Sequence, residues 1–80
     1  MVEIYTTGSH CAFCTIAKNF MKDNNIAFTE YNIEEDEDRR NEAVQTYHAQ
    51  GVPLIVVNGT PVYGFKPEEI MSLINKPAVV

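Results

Sequence analysis

Asn58-Gly59 lies between the apolar run Val52-Pro53-Leu54-Ile55-Val56-Val57 and the segment Thr60 to Tyr63. It is a strong two-residue hairpin signal, because both central residues tolerate positive φ. It comes late, after two strand–helix alternations, and that placement constrains the topology more than any other feature. Val2 to Tyr5 reads as a short strand and Thr6 to His10 as a loop of small polar residues. Phe13, Ile16, Ala17 and Phe20 recur at i, i+3, i+4 and i+7, an inward helical stripe that Asp23-Asn24-Asn25 ends. Ala27 to Ile33, aromatic and β-branched, is a second strand.

A second helix is expected from about Asp36 to Ala49, on a thin stripe of Ala43, Val44 and Tyr47. Val52 to Val57 is apolar on both faces, as a strand covered on both sides must be. Pro61 has no N–H to give a ladder, so Thr60 to Tyr63 belongs at the sheet edge. Pro67, with Glu68 and Glu69, opens a third helix whose Ile70, Met71, Leu73 and Ile74 face inward, and Asn75-Lys76-Pro77 ends it. The order β-α-β-α-β-β-α gives an α/β fold, a four-stranded mixed sheet flanked by three helices.

Both cysteines fall in Cys11-Ala12-Phe13-Cys14, between the first strand and the first helix. Three helical residues advance about 4.5 Å and nearly close a turn, which puts the Cα atoms roughly 5 Å apart, a separation that suits a disulfide. The pair can open and close without moving the backbone much, as a two-electron carrier requires. Cys11, at the helix N-terminus, meets unpaired N–H groups and the positive dipole end, which depress a thiol pKa from about 8.5 to roughly 3.5–7.5. It is the expected nucleophile. Cys14, one turn further in, is the expected resolving thiol.

Other readings of the pair are weaker. A structural zinc site needs four ligands, and Cys11, Cys14, His10 and His48 match no zinc-finger spacing, so no metal is expected. A structural disulfide closing so short a loop would constrain the unfolded chain little. A Cys-x-x-Cys metallochaperone is the stronger rival, but its ferredoxin-like fold needs a hairpin directly after the first helix and a final strand.

Eighty residues make one domain, 1–80, with 75–80 as a tail, and 45% apolar residues suffice for a core without staples. Met1 stands almost directly on the first strand, so no leader is expected, and no apolar run approaches the roughly 20 residues that span a bilayer. A soluble, cytoplasmic monomer is the expectation. The net charge of −5 comes largely from Glu34 to Asp38 and Glu42, which makes nucleic acid a poor partner. That run reads as a solvated helix start that complements the dipole, with the capacity to steer a basic partner.

Three segments together carry a family resemblance: Cys11-Ala12-Phe13-Cys14, Gly51-Val52-Pro53 and Gly64-Phe65-Lys66-Pro67-Glu68. Over residues 1 to about 75 the chain resembles the glutaredoxins, and more closely the NrdH-like redoxins that share their fold. The resemblance implies a thioredoxin fold, thiol–disulfide oxidoreductase activity, and a cis Pro53 facing the cysteines. It implies that the Val52 backbone pairs with an extended substrate. Phe13 is placed at the rim of the site, and Phe65 either staples the third helix or extends that rim, beside Gly64. His10 and Lys18 are candidate modulators of Cys11.

No bound cofactor is expected. Reducing equivalents would come from thioredoxin reductase and NADPH or from glutathione, and would pass to protein disulfides such as that of ribonucleotide reductase. In glutathione users a Gly-Gly turn holds the tripeptide. Here Phe65 stands at the second glycine, Pro67 lacks an N–H, and Ser9-His10 replaces the basic residue before the first cysteine. These departures favour a flavoprotein reductase, with a glutathione-dependent glutaredoxin as the alternative.

Overall fold

The computed structural model describes residues 2–7 and 11–75. Its elements follow the order expected from the sequence: β1 (Val2–Thr6), α1 (Ala12–Asp23), β2 (Thr29–Asn32), α2 (Glu37–Gln45), β3 (Leu54–Val57), β4 (Thr60–Tyr63) and α3 (Pro67–Asn75). The sheet runs β2-β1-β3-β4. β1 and β2 are parallel, whereas β3 runs antiparallel to both β1 and β4. Asn58 (φ 50°) and Gly59 (φ 88°) form the hairpin turn between β3 and β4, in the conformation only such residues adopt readily. Pro61 lies on β4, at the sheet edge, opposite Val56. Among the described residues the hairpin therefore joins the last two strands, and the ferredoxin-like order does not occur.

Alternation along β1 and β3 splits the core into two layers. Val2, Ile4, Ile55, Val57 and Val62 face one side, where Ala17 and Met21 of α1 and Ile70 of α3 cover them. Tyr5, Leu54 and Val56 face the other, beneath Ala43 of α2. All four residues of β3 are buried, as a strand covered on both faces requires.

Boundaries or stripes differ from expectation in α1, α2, β2 and β3, the last beginning at Leu54 and not at Val52, with the cis Val52–Pro53 bond preceding the strand. In α1 the buried line is Cys14, Ala17 and Met21, while Phe13 and Ile16 remain 61% and 46% exposed. Cys11 caps the helix, so the inward face is fixed by the cysteine pair and rotated from the apolar stripe; Phe20 is half-buried at its margin. Helix α2 stops at Gln45, not Ala49, and Val44 is 53% exposed. The Tyr47 N–H donates to Glu42 O and the Ala49 N–H to Ala43 O, while His48 takes φ 57°. This left-handed turn closes the helix and sends the chain back to the sheet. Finally, β2 is limited to the four residues that β1 can pair, Thr29 to Asn32 against Glu3 to Thr6.

Polar contacts seat α2. Asp36 caps it by accepting the Arg39 N–H at 3.0 Å, and Glu37 and Asp38 fill the first turn, where carboxylates favour the dipole. The buried Tyr5 donates its hydroxyl to Glu42 Oε1, Arg39 Nη1 donates to the same oxygen at 2.9 Å, and the Arg39 guanidinium lies 4.1 Å over the Tyr31 ring. Tyr5 and then Arg39 hold the Glu42 carboxyl below its ordinary pKa, and burial pushes the Tyr5 phenol well above its own.

Tyr5→Phe is therefore expected to cost about 1–2 kcal/mol at pH 7, below the full worth of a hydrogen bond to a buried charged group because solvent reaches the Glu42 side chain. Because Glu42 is held low, that stabilisation is present above the ordinary carboxylate pKa and is lost as pH falls through the folded value. Thermal melts of both proteins from pH 7 down to pH 3 should converge. A gap that stayed constant with pH would show that the lost stability did not come from the carboxylate.

Candidate active site

Chain direction gathers the site at one end of the sheet. β1 ends at Thr6, α1 begins at Ala12, and β3 begins at Leu54, opposite Tyr5. Cys11 is the N-cap of α1, with extended backbone (φ −120°, ψ 107°), and its Sγ accepts the Cys14 N–H at 3.1 Å. The Cys11 carbonyl accepts the Thr15 N–H at 3.3 Å, which starts the helix. The two cysteines form a disulfide with Cα atoms 5.2 Å apart. Cys11 keeps 9% exposure and Cys14 none. The outer sulfur is thus the one placed at the helix terminus, where N–H groups stabilise negative charge on it.

The Val52–Pro53 peptide bond is cis, with Pro53 buried and Val52 half-buried. Gly64, at φ 86°, donates its N–H to Pro53 O at 3.0 Å, continuing the β3–β4 ladder beyond Tyr63. Beside this pair lies an open groove of about 410 Å³, walled by His48, Gln50, Val52, Pro53, Tyr63 and Gly64. Among the described residues no carboxylate lines it. The acidic residues Glu35 to Asp38 line a separate cleft with Glu30 and Asn32.

The other expected site residues separate into three groups. Phe13 projects to solvent between the cysteines, as a rim residue would. Phe65 turns away from the groove: its ring meets Phe20 edge-on at 5.5 Å and packs on the α1/α3 layer. It is the helix staple, and no part of its side chain obstructs the groove. Lys18 is paired with Glu30, Nζ to Oε2 at 3.1 Å, and Glu30 also accepts the Thr6 hydroxyl at 2.8 Å. Partial burial pushes the Glu30 carboxyl up, but Thr6 and Lys18 outweigh it and hold it below its ordinary value. The Lys18 ammonium is therefore engaged with a carboxylate, which offsets the positive potential it could offer Cys11. His10 and the expected tail beyond Asn75 lie outside the described residues.

Among the described residues no group of three or more His, Cys, Asp or Glu side chains converges as a metal site, and no helix is long and apolar enough to cross a membrane. The sequence reading missed His48, Gln50 and Tyr63 as groove residues. Tyr63 carried a usable signal, since it ends the edge strand directly before Gly64. The position of His48 follows from its left-handed turn, which no glycine marks.

Comparison with known proteins agrees with this geometry. The glutaredoxin family model matches residues 2–62. The uncharacterized glutaredoxin-like 8.6 kDa protein in the rubredoxin operon of Clostridium pasteurianum is 36% identical over 76 residues, covering 95% of this chain and all of that protein. The crystal structure of the thioredoxin-like protein BC3987 superposes with a TM-score of 0.85 at 34% identity, over 91% of this chain and 99% of the other. The Escherichia coli NrdH-redoxin, a glutaredoxin-like protein with a thioredoxin-like activity profile, matches in fold with a TM-score of 0.79 at 24% identity, over 95% and 97% of the two chains. With its Cys-x-x-Cys pair at disulfide distance on a thioredoxin fold, the chain belongs to the glutaredoxin family of thiol–disulfide oxidoreductases.

Proposed function

We propose that this protein is a small dithiol carrier that reduces protein disulfides, with Cys11 as nucleophile and Cys14 as resolving thiol. The observation that carries the assignment is the hydrogen bond from the Cys14 N–H to Cys11 Sγ at the N-cap of α1. In the reduced protein the same N–H and the helix dipole favour a thiolate on Cys11, while Cys14, fully buried, is kept as a thiol. The Cys11 thiolate attacks one sulfur of the substrate disulfide, that S–S bond breaks, and the leaving thiolate takes a proton. Cys14 then loses its proton and attacks Cys11 Sγ, which expels the second substrate thiolate and leaves the Cys11–Cys14 disulfide. Two electrons have passed to the substrate, and an external reductant restores the dithiol.

The substrate's extended chain pairs with the Val52 backbone beside Pro53, and Phe13 meets it at the rim. Ribonucleotide reductase is the acceptor that the NrdH-like resemblance suggests. For the electron source we favour NADPH and thioredoxin reductase over glutathione. Phe65 contributes nothing to that choice, because its ring points inward. The support lies in Pro67, which has no N–H to offer at the start of α3, and in Tyr63, whose side chain occupies the groove wall beside Gly64.

Cys11→Ser should abolish insulin reduction, whereas Cys14→Ser should accumulate a mixed disulfide on Cys11, visible by mass spectrometry. Iodoacetamide should label Cys11 first, with a midpoint below the roughly 8.5 of a free thiol. Faster, lower-midpoint labelling of Cys14 would reverse the roles.

Turnover coupled to NADPH and thioredoxin reductase should exceed that coupled to millimolar glutathione and glutathione reductase by about tenfold or more. That factor corresponds to at least one lost hydrogen bond to a charged ligand group. Efficient glutathione-coupled turnover with no response to thioredoxin reductase would instead identify a glutathione-dependent glutaredoxin.

A further inference from the structure

The segment that presents Val52 is lightly held. Helix α2 ends at Gln45, and His48 takes φ 57°, which a residue with a Cβ disfavours. Gly51 is exposed, and a Cβ placed on it would meet no atom within 4 Å. Open space flanks Gln50 to Val52, the groove of about 410 Å³ and a second cleft of about 280 Å³ lined also by Tyr5, Ala43 and Val44. Backbone bonds fix the two ends of the segment, Ala49 N–H to Ala43 O at 2.9 Å and Gly64 N–H to Pro53 O at 3.0 Å.

Tyr63 ties this segment to the sheet. It ends the edge strand opposite Leu54, and its hydroxyl reaches across to donate to the carbonyl oxygen of Tyr47. Its ring stays 48% exposed on the groove wall, whereas its neighbour Val62 is fully buried in the core. Burial is thus supplied by Val62, and what Tyr63 adds is the cross-link. We infer that Tyr63 is a positioning residue for protein substrates: through Tyr47 it holds residues 47–53 so that the Val52 backbone faces the incoming chain at strand spacing. The inference rests on the substrate-pairing role given to Val52 above.

Tyr63→Phe keeps the ring and the ladder and removes only the donor. The reduced protein is mixed with insulin, and separately with hydroxyethyl disulfide, which has no peptide backbone to pair with Val52. The second-order rate constant for its oxidation is read in each case. The variant's constant with insulin should fall roughly two- to fivefold, the scale of one net hydrogen bond, and the insulin-to-small-disulfide ratio should fall with it. Amide exchange at Ala49 and Gly64, whose N–H groups hold the two ends of the segment, should quicken, while Ile55 and Val56 stay protected.

An equal fall with both oxidants, or no fall with insulin, overturns the inference, and so does faster loop exchange with an unchanged ratio. Failure of the wild-type reduced protein to be oxidised by insulin at all would instead remove the substrate reading on which it rests.

Discussion

The antiparallel pairing of β1 with β3 places the chemistry. Tyr5 opposite Leu54 brings the first residues of β3 to the end of β1, from which the chain runs on to Cys11. A slip of one residue would exchange the faces of β3, sending Ile55 and Val57 towards α2 and Leu54 and Val56 towards α1 and α3. Neither layer would then fit its helices, because Ala17 and Met21 are shaped to one set and Ala43 with the tyrosines to the other. The position of Pro53 relative to the cysteines is therefore guarded by the packing of both layers, and the site inherits the rigidity of the most deeply buried strand.

Structure and reactivity meet in one atom. Cys11 Sγ does the work that a serine or aspartate oxygen does at other helix starts, accepting the N–H three residues on. Asp36 does the same for α2 with a carboxylate oxygen, which has no redox chemistry. At Cys11 the cap is a sulfur that can leave, attack or bond to Cys14, so the electrostatic pull that favours helix formation also favours the reactive thiolate. The bond it forms closes too small a ring to constrain the unfolded chain much, so the fold depends little on whether the pair is oxidised.

The element order, the edge position of Pro61, the turn at Asn58-Gly59 and the cysteine pair could all be read from the sequence, because each follows from a local rule about φ, ladder donors or helix ends. The misreadings came from tertiary choices. Ile16 and Val44 satisfy helical periodicity yet face out, since the cap at Cys11 and the burial of Cys14 set the phase of α1 and the tyrosine layer sets that of α2. Phe65 was ambiguous for the same reason: only the position of Phe20 decides which way its ring turns. His48 is the clearest limit, a left-handed residue that ends a helix with no glycine to announce it.

α2 differs in kind from the other helices. Its one buried side chain is Ala43, which offers too little apolar area to anchor nine residues by itself. It is held instead by directional contacts, the Tyr5 bond to Glu42 and the Arg39 guanidinium over Tyr31, laid across rings of Tyr5, Tyr31 and Tyr47 that tilt against one another at 5.2 and 6.1 Å. Such contacts fix orientation more than they resist local opening. The loop after the helix is anchored by Tyr47 and Ala49 against the Tyr5 layer and by the Tyr63 bond to Tyr47, and beyond them Gln50 to Val52 run between two open clefts. The cysteine side of the site is therefore built on packed core and the Val52–Pro53 side on a tethered loop. Under the proposed function, that division would set a rigid redox pair beside an adaptable seat for the substrate chain.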